Sequence, residues 1–238
     1  IPMQESAPPI HHPWNLAPRG ASALQRELAP YVDRGDHLGS SAFVGGVDVG
    51  FENGQARAAV AVLSFPALQL ADQRVARVPV AFPYVPGLLS FREIPPVLNA
   101  LGTISVRPDL LLCDGQGIAH PRRCGFASHL GLVTGIPSIG VAKSRLVGEH
   151  NPVPMQKGAW VPLVQHGETI GAALRTRAGV APVFVSIGHR VSLLTAIQYV
   201  LACTTRYRLP ETTRWAHRLA SGPPFSPRYR QTKTTRRP

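Results

Sequence analysis

Cysteines, acidic residues and long apolar runs are all scarce in this chain of 238 residues. Its three cysteines have no CxxC spacing, which argues against a disulfide framework or a structural zinc site. No apolar run approaches the ~20 residues that span a bilayer, so we expect no membrane partner. The Pro- and His-rich residues 1–20 lack the basic and then apolar pattern of a secretory signal. These absences favour a cytoplasmic globular protein, which we expect to be a monomer.

Only 13 acidic residues stand against 25 lysines and arginines, and the formal net charge is +12. From Arg206 onward there are nine basic residues and one acid, Glu211, so this segment contributes +8 of that charge. A basic field of this size favours a polyanionic partner, with nucleic acid as the leading candidate. For residues 226–238 taken alone, a solvated tail that only aids solubility is an equally good interpretation.

The composition predicts three parts, which are a Pro-rich flexible arm at 1–21, a catalytic domain at 22–225 and a basic disordered tail at 226–238. Runs rich in β-branched residues predict an antiparallel meander with strands at 43–51, 57–65 and 68–80. Buried apolar runs and helical patterns then predict strands at 109–113, 138–142, 169–175 and 183–186, and helices at 21–32, 92–104, 124–134, 192–204 and 211–220. Three antiparallel strands followed by parallel strands and flanking helices make a mixed α/β sheet of ribonuclease H-like architecture.

Asp48 stands out because it lies in the middle of an apolar strand, between Val47 and Val49. The period-two alternation of a strand places it on one face with Gly46 and Gly50. We expect these glycines to leave open space where a metal and a phosphate approach. A buried carboxylate without a partner is costly, so a cation should lie beside it. A salt bridge to a neighbouring arginine is the ordinary alternative.

Asp114 follows the buried run 110–113 and precedes Gly115, Gln116 and Gly117. The carboxyl ends of strands in open α/β sheets are ligand sites, and glycines let the backbone approach a substrate closely. An Asp before a Gly is also a common turn residue, so this motif alone is weak. Paired with Asp48 on an adjacent strand, Asp114 predicts a site for Mg²⁺, for which Mn²⁺ can substitute.

Three further side chains have both an ordinary and a functional explanation. Glu93 follows Arg92 near the start of a predicted helix, where it would also suit the helix dipole. Lys143 ends a buried strand and either neutralises a phosphate or is solvated. His217 on the last helix either orients water or is structural. Spacing alone does not decide between these explanations.

Seven runs of sequence, in order along the chain, match one known family. The runs are GGVDVGF at 45–51, FPYVPGLLSFRE at 82–93, DGQGIAHPRR at 114–123, ASHLGL at 127–132, GIPSIGVAKSRL at 135–146, PVFVSIGHRVS at 182–192 and RLPETTRWAH at 208–217. Through these runs the chain resembles the endonuclease V family over about residues 22–225. The arm and the tail lie outside the resemblance.

The resemblance implies a metal-dependent repair endonuclease that acts on DNA beside deaminated bases, chiefly hypoxanthine. The nick falls at the second phosphodiester 3′ to the lesion and leaves a 3′-hydroxyl and a 5′-phosphate. The resemblance also implies that Asp48, Glu93 and Asp114 hold the metal. In the same way, it implies that Lys143 lies near the scissile phosphate and that His217 lies in the outer shell of the metal.

The resemblance further implies that the proline-stiffened loop around Tyr84 is a wedge that stacks into the strand where the damaged base leaves it. The other implied contacts with the everted base or the nucleic acid are Pro83, Pro86, Gly87, Leu89, Gly115, Gln116, His120, Arg122 and Leu146. Arg123 is a further candidate of this kind, and His189 is a weaker candidate for the surroundings of the metal.

Two alternatives stay open beside a DNA-directed enzyme. An inosine-specific endoribonuclease fits the same motifs, because contacts with the 2′-hydroxyl cannot be read from a sequence. A sensor of modified nucleic acid that does not cut is less well supported, since a pure binder has no use for a carboxylate cluster facing phosphates. An acyl hydrolase with Ser138 as nucleophile is disfavoured because the GxSxG pattern is not met around it.

Overall fold

The fold is organised around one eight-stranded mixed sheet, and the computed structural model describes residues 8–222. The strands are β1 Phe43–Glu52, β2 Gln55–Ser64, β3 Leu70–Pro79, β4 Leu110–Cys113, β5 Ser138–Ala142, β6 Trp160–Gln165, β7 Glu168–Leu174 and β8 Val183–His189. The helices are α1 Pro18–Leu28, α2 Leu89–Leu101, α3 Phe126–Thr134, α4 Leu193–Ala202 and α5 Glu211–Ser221, with a 3-10 helix at Ala29–Tyr31.

The strand order in the sheet is β3-β2-β1-β4-β5-β8-β7-β6. The first three strands form an antiparallel meander, and β4 and β5 run parallel to β1. This is the ribonuclease H-like arrangement, so the predicted fold is confirmed. Strands β8, β7 and β6 add an antiparallel extension. Strand β6 was not predicted, because Pro162 interrupts its pattern; an edge strand tolerates a proline that a central strand does not.

The chain before α1 lies on the domain surface. Residues 8–17 contain no helix or strand. The backbone N–H of Ile10 donates to the carbonyl oxygen of Leu132 at 2.9 Å, and the ring of Trp14 stacks on that of His129 with centroids 5.2 Å apart. Residues 1–7 of the predicted arm and the whole predicted tail at 226–238 lie outside the described residues.

The alternation of side chains along β1 assigns its two faces to different helices. Val47 packs with Leu111 of β4 and with Ile94 of α2 in one core cluster. Val44 packs on the opposite face in a second cluster that includes residues of α4. Asp48 shares the face of Val44, which is also the face that α5 covers.

Gly46 and Gly50 bring the backbone of α5 into contact with β1. A Cβ atom on Gly46 would lie 2.1 Å from the carbonyl oxygen of Thr212, and one on Gly50 would lie 2.6 Å from that of Ala220. The prediction that these glycines leave open space for a metal and a phosphate is therefore wrong, because α5 fills that space. A helix backbone approaches a strand this closely only where no side chain intervenes.

All three cysteines are buried and free. Within residues 8–222, no helix combines the length and the apolar content that crossing a membrane requires.

The contact between α5 and β1 predicts that Gly46→Ala destabilises the protein. A methyl group 2.1 Å from the Thr212 oxygen forces the helix away from the sheet. Overpacking of this kind costs roughly 1–3 kcal/mol in the free energy of unfolding. Urea unfolding measures the loss. Gly39→Ala is the matched control, because a Cβ atom there meets nothing within 4 Å. Equal stability of the two variants would contradict the packing.

His129 predicts a loss of stability in acid. It is fully buried, its Nδ1 lies 3.0 Å from the Ser90 hydroxyl, and its Nε2 lies 2.7 Å from Nε2 of His12. Burial, and then the neighbouring His12, lower the pKa of His129 to about 3. The unfolded chain titrates near 6.5 and takes up the proton first, so the contribution of His129 is lost as the pH falls from about 6.5 to about 3.

We therefore expect the free energy of unfolding to fall by roughly 3–5 kcal/mol across this range through His129. Denaturant unfolding at a series of pH values measures it. His129→Gln should be less stable at neutral pH but show a shallower dependence on acid. The two remaining buried histidines with lowered pKa values, His120 and His189, are present in both proteins and cancel in the comparison. Parallel pH curves for the two proteins would refute the assignment.

Candidate active site

The parallel pairing of β1 and β4 places Asp48 beside Asp114. The last paired residues of the two strands are Val47 and Cys113, and each aspartate follows directly. Because the register is fixed by buried side chains, the two carboxylates leave the sheet at the same edge. The two aspartates that the sequence singled out are thus brought together.

Glu93 joins them from α2. It is the fifth residue of that helix, and the first turn contains no acid, so capping does not explain it. Burial, and then the negative charges of Asp48 and Asp114, raise the pKa of Glu93 to about 8. Three carboxylates close enough to repel one another are typical of a site that takes a cation.

Two basic side chains engage the aspartates directly. Lys143, which follows β5, places Nζ 2.5 Å from Oδ2 of Asp114. His217 on α5 places Nδ1 2.8 Å from Oδ2 of Asp48, while the other oxygen of Asp48 accepts the backbone N–H of Val49 at 2.9 Å. The five residues predicted to carry the chemistry therefore converge on one edge of the sheet.

The donor chemistry of this edge fits a divalent metal. Carboxylate oxygens are what Mg²⁺ and Mn²⁺ prefer, and the mutual repulsion that acts on Glu93 is relieved by a cation. In their present positions, however, no three His, Cys, Asp or Glu side chains within residues 8–222 are arranged to hold an ion. Lys143 occupies one of the two oxygens of the Asp114 carboxylate.

We call the end of the sheet at which Asp48, Glu93 and Asp114 lie the acidic edge. A cleft of about 390 Å³ runs from the acidic edge to the loop that carries Tyr84. Its size is that of a small-molecule site. The residues proposed from the resemblance that line it are Tyr84, Pro86, Gly87, Leu89, Glu93, Asp114, Gly115, Gln116, His120, Lys143 and Leu146. Pro83, Asp48, Arg122 and His217 do not line this cleft.

The loop 83–87 presents its aromatic ring to solvent. Tyr84 is 69% exposed, although it lies between Pro83 and Pro86, which restrict the backbone. Gly87 ends the loop with φ +78°, a conformation that favours glycine. An exposed ring on a loop of few conformations is suited to stacking against a base.

Arg122 and His120 hold this loop by one backbone oxygen. The carbonyl of Gly87 accepts Arg122 Nη2 at 2.6 Å and His120 Nε2 at 3.0 Å. Arg122 also donates from Nε to the side-chain oxygen of Gln25 at 2.6 Å. Burial, and then the nearby arginine, lower the pKa of His120 to about 4, so it is neutral at pH 7. Both side chains lie against protein groups that shape the cleft.

The glycines after Asp114 have different roles. Gly115 lines the cleft beside Phe126. Gly117 instead packs against the backbone of β8, where a Cβ atom would lie 1.9 Å from the Ile187 carbonyl oxygen. The missing side chain of Gly117 allows close packing against the sheet and not the approach of a substrate. This corrects the interpretation of Gly117 from the sequence. The side chain of Gln116 donates to the carbonyl oxygen of Ser144 at 3.0 Å.

His189 and Ser138 lie at the opposite edge of the sheet. His189 ends β8 and pairs with Ser138, the first residue of β5, whereas Lys143 follows the last residue of that strand. His189 is thus remote from the acidic residues, which corrects its weaker assignment. The hydroxyl of Ser138 is fully buried and donates to the Ala127 carbonyl, so it cannot act as a nucleophile on a substrate. Arg123 donates to Glu168 at 2.8 Å.

Comparison with known proteins identifies the family. The model of the endonuclease V family matches residues 26–218 of this chain. The chain belongs to the endonuclease V family. The endonuclease V of Roseiflexus castenholzii is 58% identical over 214 residues, which are 90% of this chain and 96% of the relative. As a member of this family, the chain is an endonuclease.

Solved structures of endonuclease V resemble this chain over most of its length. The enzyme from Streptomyces avermitilis gives a TM-score of 0.84 at 44% identity, covering 89% of this chain and 94% of the other. An endonuclease V of Ciona intestinalis, in complex with a 23mer DNA containing an inosine followed by a ribo-adenosine, gives 0.76 at 30% identity. That similarity covers 85% of this chain and 94% of the other.

Several residues of the endonuclease's cleft were not found from the sequence. Gln25 comes from α1, more than fifty positions away from any other cleft residue, and its side chain bridges to Arg122. Phe126 begins α3, within an apolar stretch that is typical of a buried core helix. The other lining residues of this kind are Ser90, Gly125, Ala142, Ser144 and Arg145. No local signal marks Gln25, because only the packing of α1 brings it to the cleft.

The contacts of Arg122 predict that Arg122→Gln loosens the loop 83–87. The variant loses the bonds to the Gly87 carbonyl and to Gln25, and local opening becomes easier. Hydrogen exchange of the Leu88 amide, which bonds to the Val85 carbonyl, should be roughly tenfold faster.

Arg26→Gln on α1 is the matched control, because Arg26 is exposed and, within residues 8–222, its side chain bonds only to its own helix. Unchanged exchange in the Arg122 variant, or equal acceleration in both, would show that Arg122 does not hold the loop.

Proposed function

We propose that this chain is a divalent-metal-dependent endonuclease that nicks DNA at the second phosphodiester 3′ to a deaminated base, chiefly hypoxanthine, in DNA repair. One observation carries the proposal: a single cleft joins the loop of the exposed Tyr84 to the acidic edge at Glu93 and Asp114. A base bound at one end of the cleft fixes the distance to a phosphate at the other end.

The base end of the cleft has the features that an everted base requires. Leu89, Phe126 and Leu146 provide apolar surface, and the backbone of Gly87 and Gly115 comes close without side chains in the way. Tyr84 stands at the rim, where its ring can fill the gap in the strand that the base has left. Arg122 and His120 keep this wall in place through the Gly87 carbonyl.

The phosphate end holds the charged groups. Asp48, Glu93 and Asp114 would hold Mg²⁺ or Mn²⁺, with His217 orienting Asp48 through its bond of 2.8 Å. When bound, such a metal supplies Lewis acidity, which lowers the pKa of water and stabilises charge on the leaving oxygen. Asp114 holds Lys143 at the acidic edge, where the ammonium group can bind a phosphate oxygen.

The reaction is hydrolysis of a phosphodiester. Water attacks phosphorus, the bond from phosphorus to the 3′-oxygen breaks, and that oxygen takes a proton. The products are a 3′-hydroxyl and a 5′-phosphate, and the base stays on its sugar. Before a substrate binds, the raised pKa of Glu93 favours its neutral form. Lys143 bonds to Asp114 and His217 bonds to Asp48, so the negative charge at the acidic edge is partly balanced by the protein.

The choice of substrate is supported by the relative from Ciona intestinalis, which was crystallised with DNA that contains inosine. The hypoxanthine base is the same on a ribose strand, so matched RNA belongs in the test. The assay uses DNA and RNA strands that each carry one hypoxanthine, with Mg²⁺, Mn²⁺ or EDTA. We expect a metal-dependent nick in the DNA strand; cutting that persists in EDTA, or no cutting of either strand, would overturn the proposal.

Asp48→Asn and Asp114→Asn should each lower nicking by about a thousandfold or more, because a neutral amide neither holds the metal nor balances Lys143 and His217. Binding of hypoxanthine DNA should largely remain, as the base end of the cleft is untouched. A nicking gel and a binding titration on the same protein separate the two effects.

Glu52→Gln is the control, because Glu52 is exposed and lies on the same strand as Asp48, four residues further on. It should nick like the parent protein. Full activity in either aspartate variant would remove the metal assignment.

A further inference from the structure

An exposed tyrosine beside the acidic edge is associated with two arginines. The side chain of Tyr207 is 43% exposed. The guanidinium carbon of Arg214 lies 3.5 Å from the centroid of its ring, and that of Arg206 lies 5.7 Å from it. We call these three side chains the Tyr207 platform. Neither the base pocket nor the proposed chemistry uses them.

The loop that carries the platform is fixed to the end of β5. Arg208 Nη2 donates to the carbonyl oxygens of Lys143 at 2.7 Å and Pro182 at 2.6 Å. The carbonyl of Arg208 in turn accepts the hydroxyl of Thr176 at 2.6 Å. The platform is therefore held next to the residue whose ammonium reaches Asp114, and the exposure of Tyr207 belongs to an anchored loop.

Positive charge continues from the platform along α5. Arg214 precedes His217 by three residues, so it lies on the same side of α5 as the histidine that engages Asp48, and Arg218 lies four residues after Arg214. Arg214 is paired with Glu211 at 2.7 Å. Neither Arg206 nor Arg218 has an acidic partner in the part of the chain that the structure describes. This surface thus retains positive charge that suits a phosphate backbone.

The platform and the base pocket lie on opposite sides of the acidic edge. The pocket is built from α2, α3 and the loop 83–87, whereas α5 packs on the other face of the sheet against Gly46 and Gly50. A strand with one base in the pocket and its next phosphates at Asp114 must cross the edge of the sheet. Its continuation in the 3′ direction then runs towards α5.

We propose that the Tyr207 platform binds the substrate strand on the 3′ side of the cut, with a base stacked on Tyr207 and a phosphate beside Arg206. The inference rests on the proposed function, which sets the direction of the strand. Exposed aromatic rings accompanied by arginines bind single strands through stacking and charge, largely without regard to sequence. The platform would extend the contact between the protein and the strand beyond the base that is recognised.

The test compares two hypoxanthine strands with the same 5′ flank. One ends just beyond the cut, and the other extends about ten nucleotides further, a length within the range that one single-strand site covers. In the parent enzyme the long strand should have a KM about tenfold below that of the short one. Tyr207→Ala should remove this difference, whereas Tyr207→Phe, which keeps the ring, should retain it.

Arg206→Gln is a second variant that does not depend on the fold of α5, because Arg206 is exposed and its side chain makes no hydrogen bond within residues 8–222. It should reduce the salt dependence of binding to the long strand by about one unit of slope. Arg107→Gln removes the same charge from an exposed position before β4, at the far edge of the sheet, and is the control.

Each outcome has one meaning. A KM advantage of the long strand that survives Tyr207→Ala, or equal salt slopes in the Arg206 and Arg107 variants, would overturn the platform. If the parent enzyme cuts neither strand, the proposed function fails, and that failure is seen before any variant is compared. Binding of the two uncut strands then still measures whether the 3′ extension contacts Tyr207.

Discussion

The parallel pairing of β1 with β4 is the constraint on which the site depends. It aligns Val47 with Cys113 and so makes Asp48 and Asp114 neighbours at the edge of the sheet. The pairing is held by fully buried residues on both faces, with Val44 and Leu112 on one face and Val47 and Leu111 on the other. A shift of one residue would turn Asp114 to the opposite face, so packing in the core and geometry in the site are specified by the same contacts.

Bringing carboxylates together in this way creates a charge that the fold must balance. Lys143 and His217 do so from β5 and α5, and burial among like charges keeps the pKa of Glu93 high. The carboxylates therefore already have basic partners before a metal cation binds. His217 reaches Asp48 because Gly46 and Gly50 allow α5 to lie on β1, so these two glycines determine the surroundings of the Asp48 carboxylate.

The strands and acidic residues that depend on local sequence pattern could be predicted. The contacts that depend on the close approach of distant segments could not. Strands β4 and β5 followed from short apolar runs, and Asp48 and Asp114 were visible as acids in apolar surroundings. Gly46 has no side chain to reveal its neighbour, and space beside it looked open until the structure placed α5 there. Gln25 likewise became part of the cleft only through the packing of α1.

The arginines show why net charge alone overstates the surface offered to a nucleic acid. Arg122, Arg175 and Arg208 are each bonded to backbone carbonyls, and they hold neighbouring loops together. Guanidinium groups used in this way are fixed by protein oxygens and are not available to release counterions from a phosphate backbone. Within residues 8–222, the side chains of Arg206 and Arg218 make no such bonds, and they lie on the surface that we propose for the substrate strand. The position of unpaired charge, and not its sum, therefore supports the path that we propose for the substrate strand.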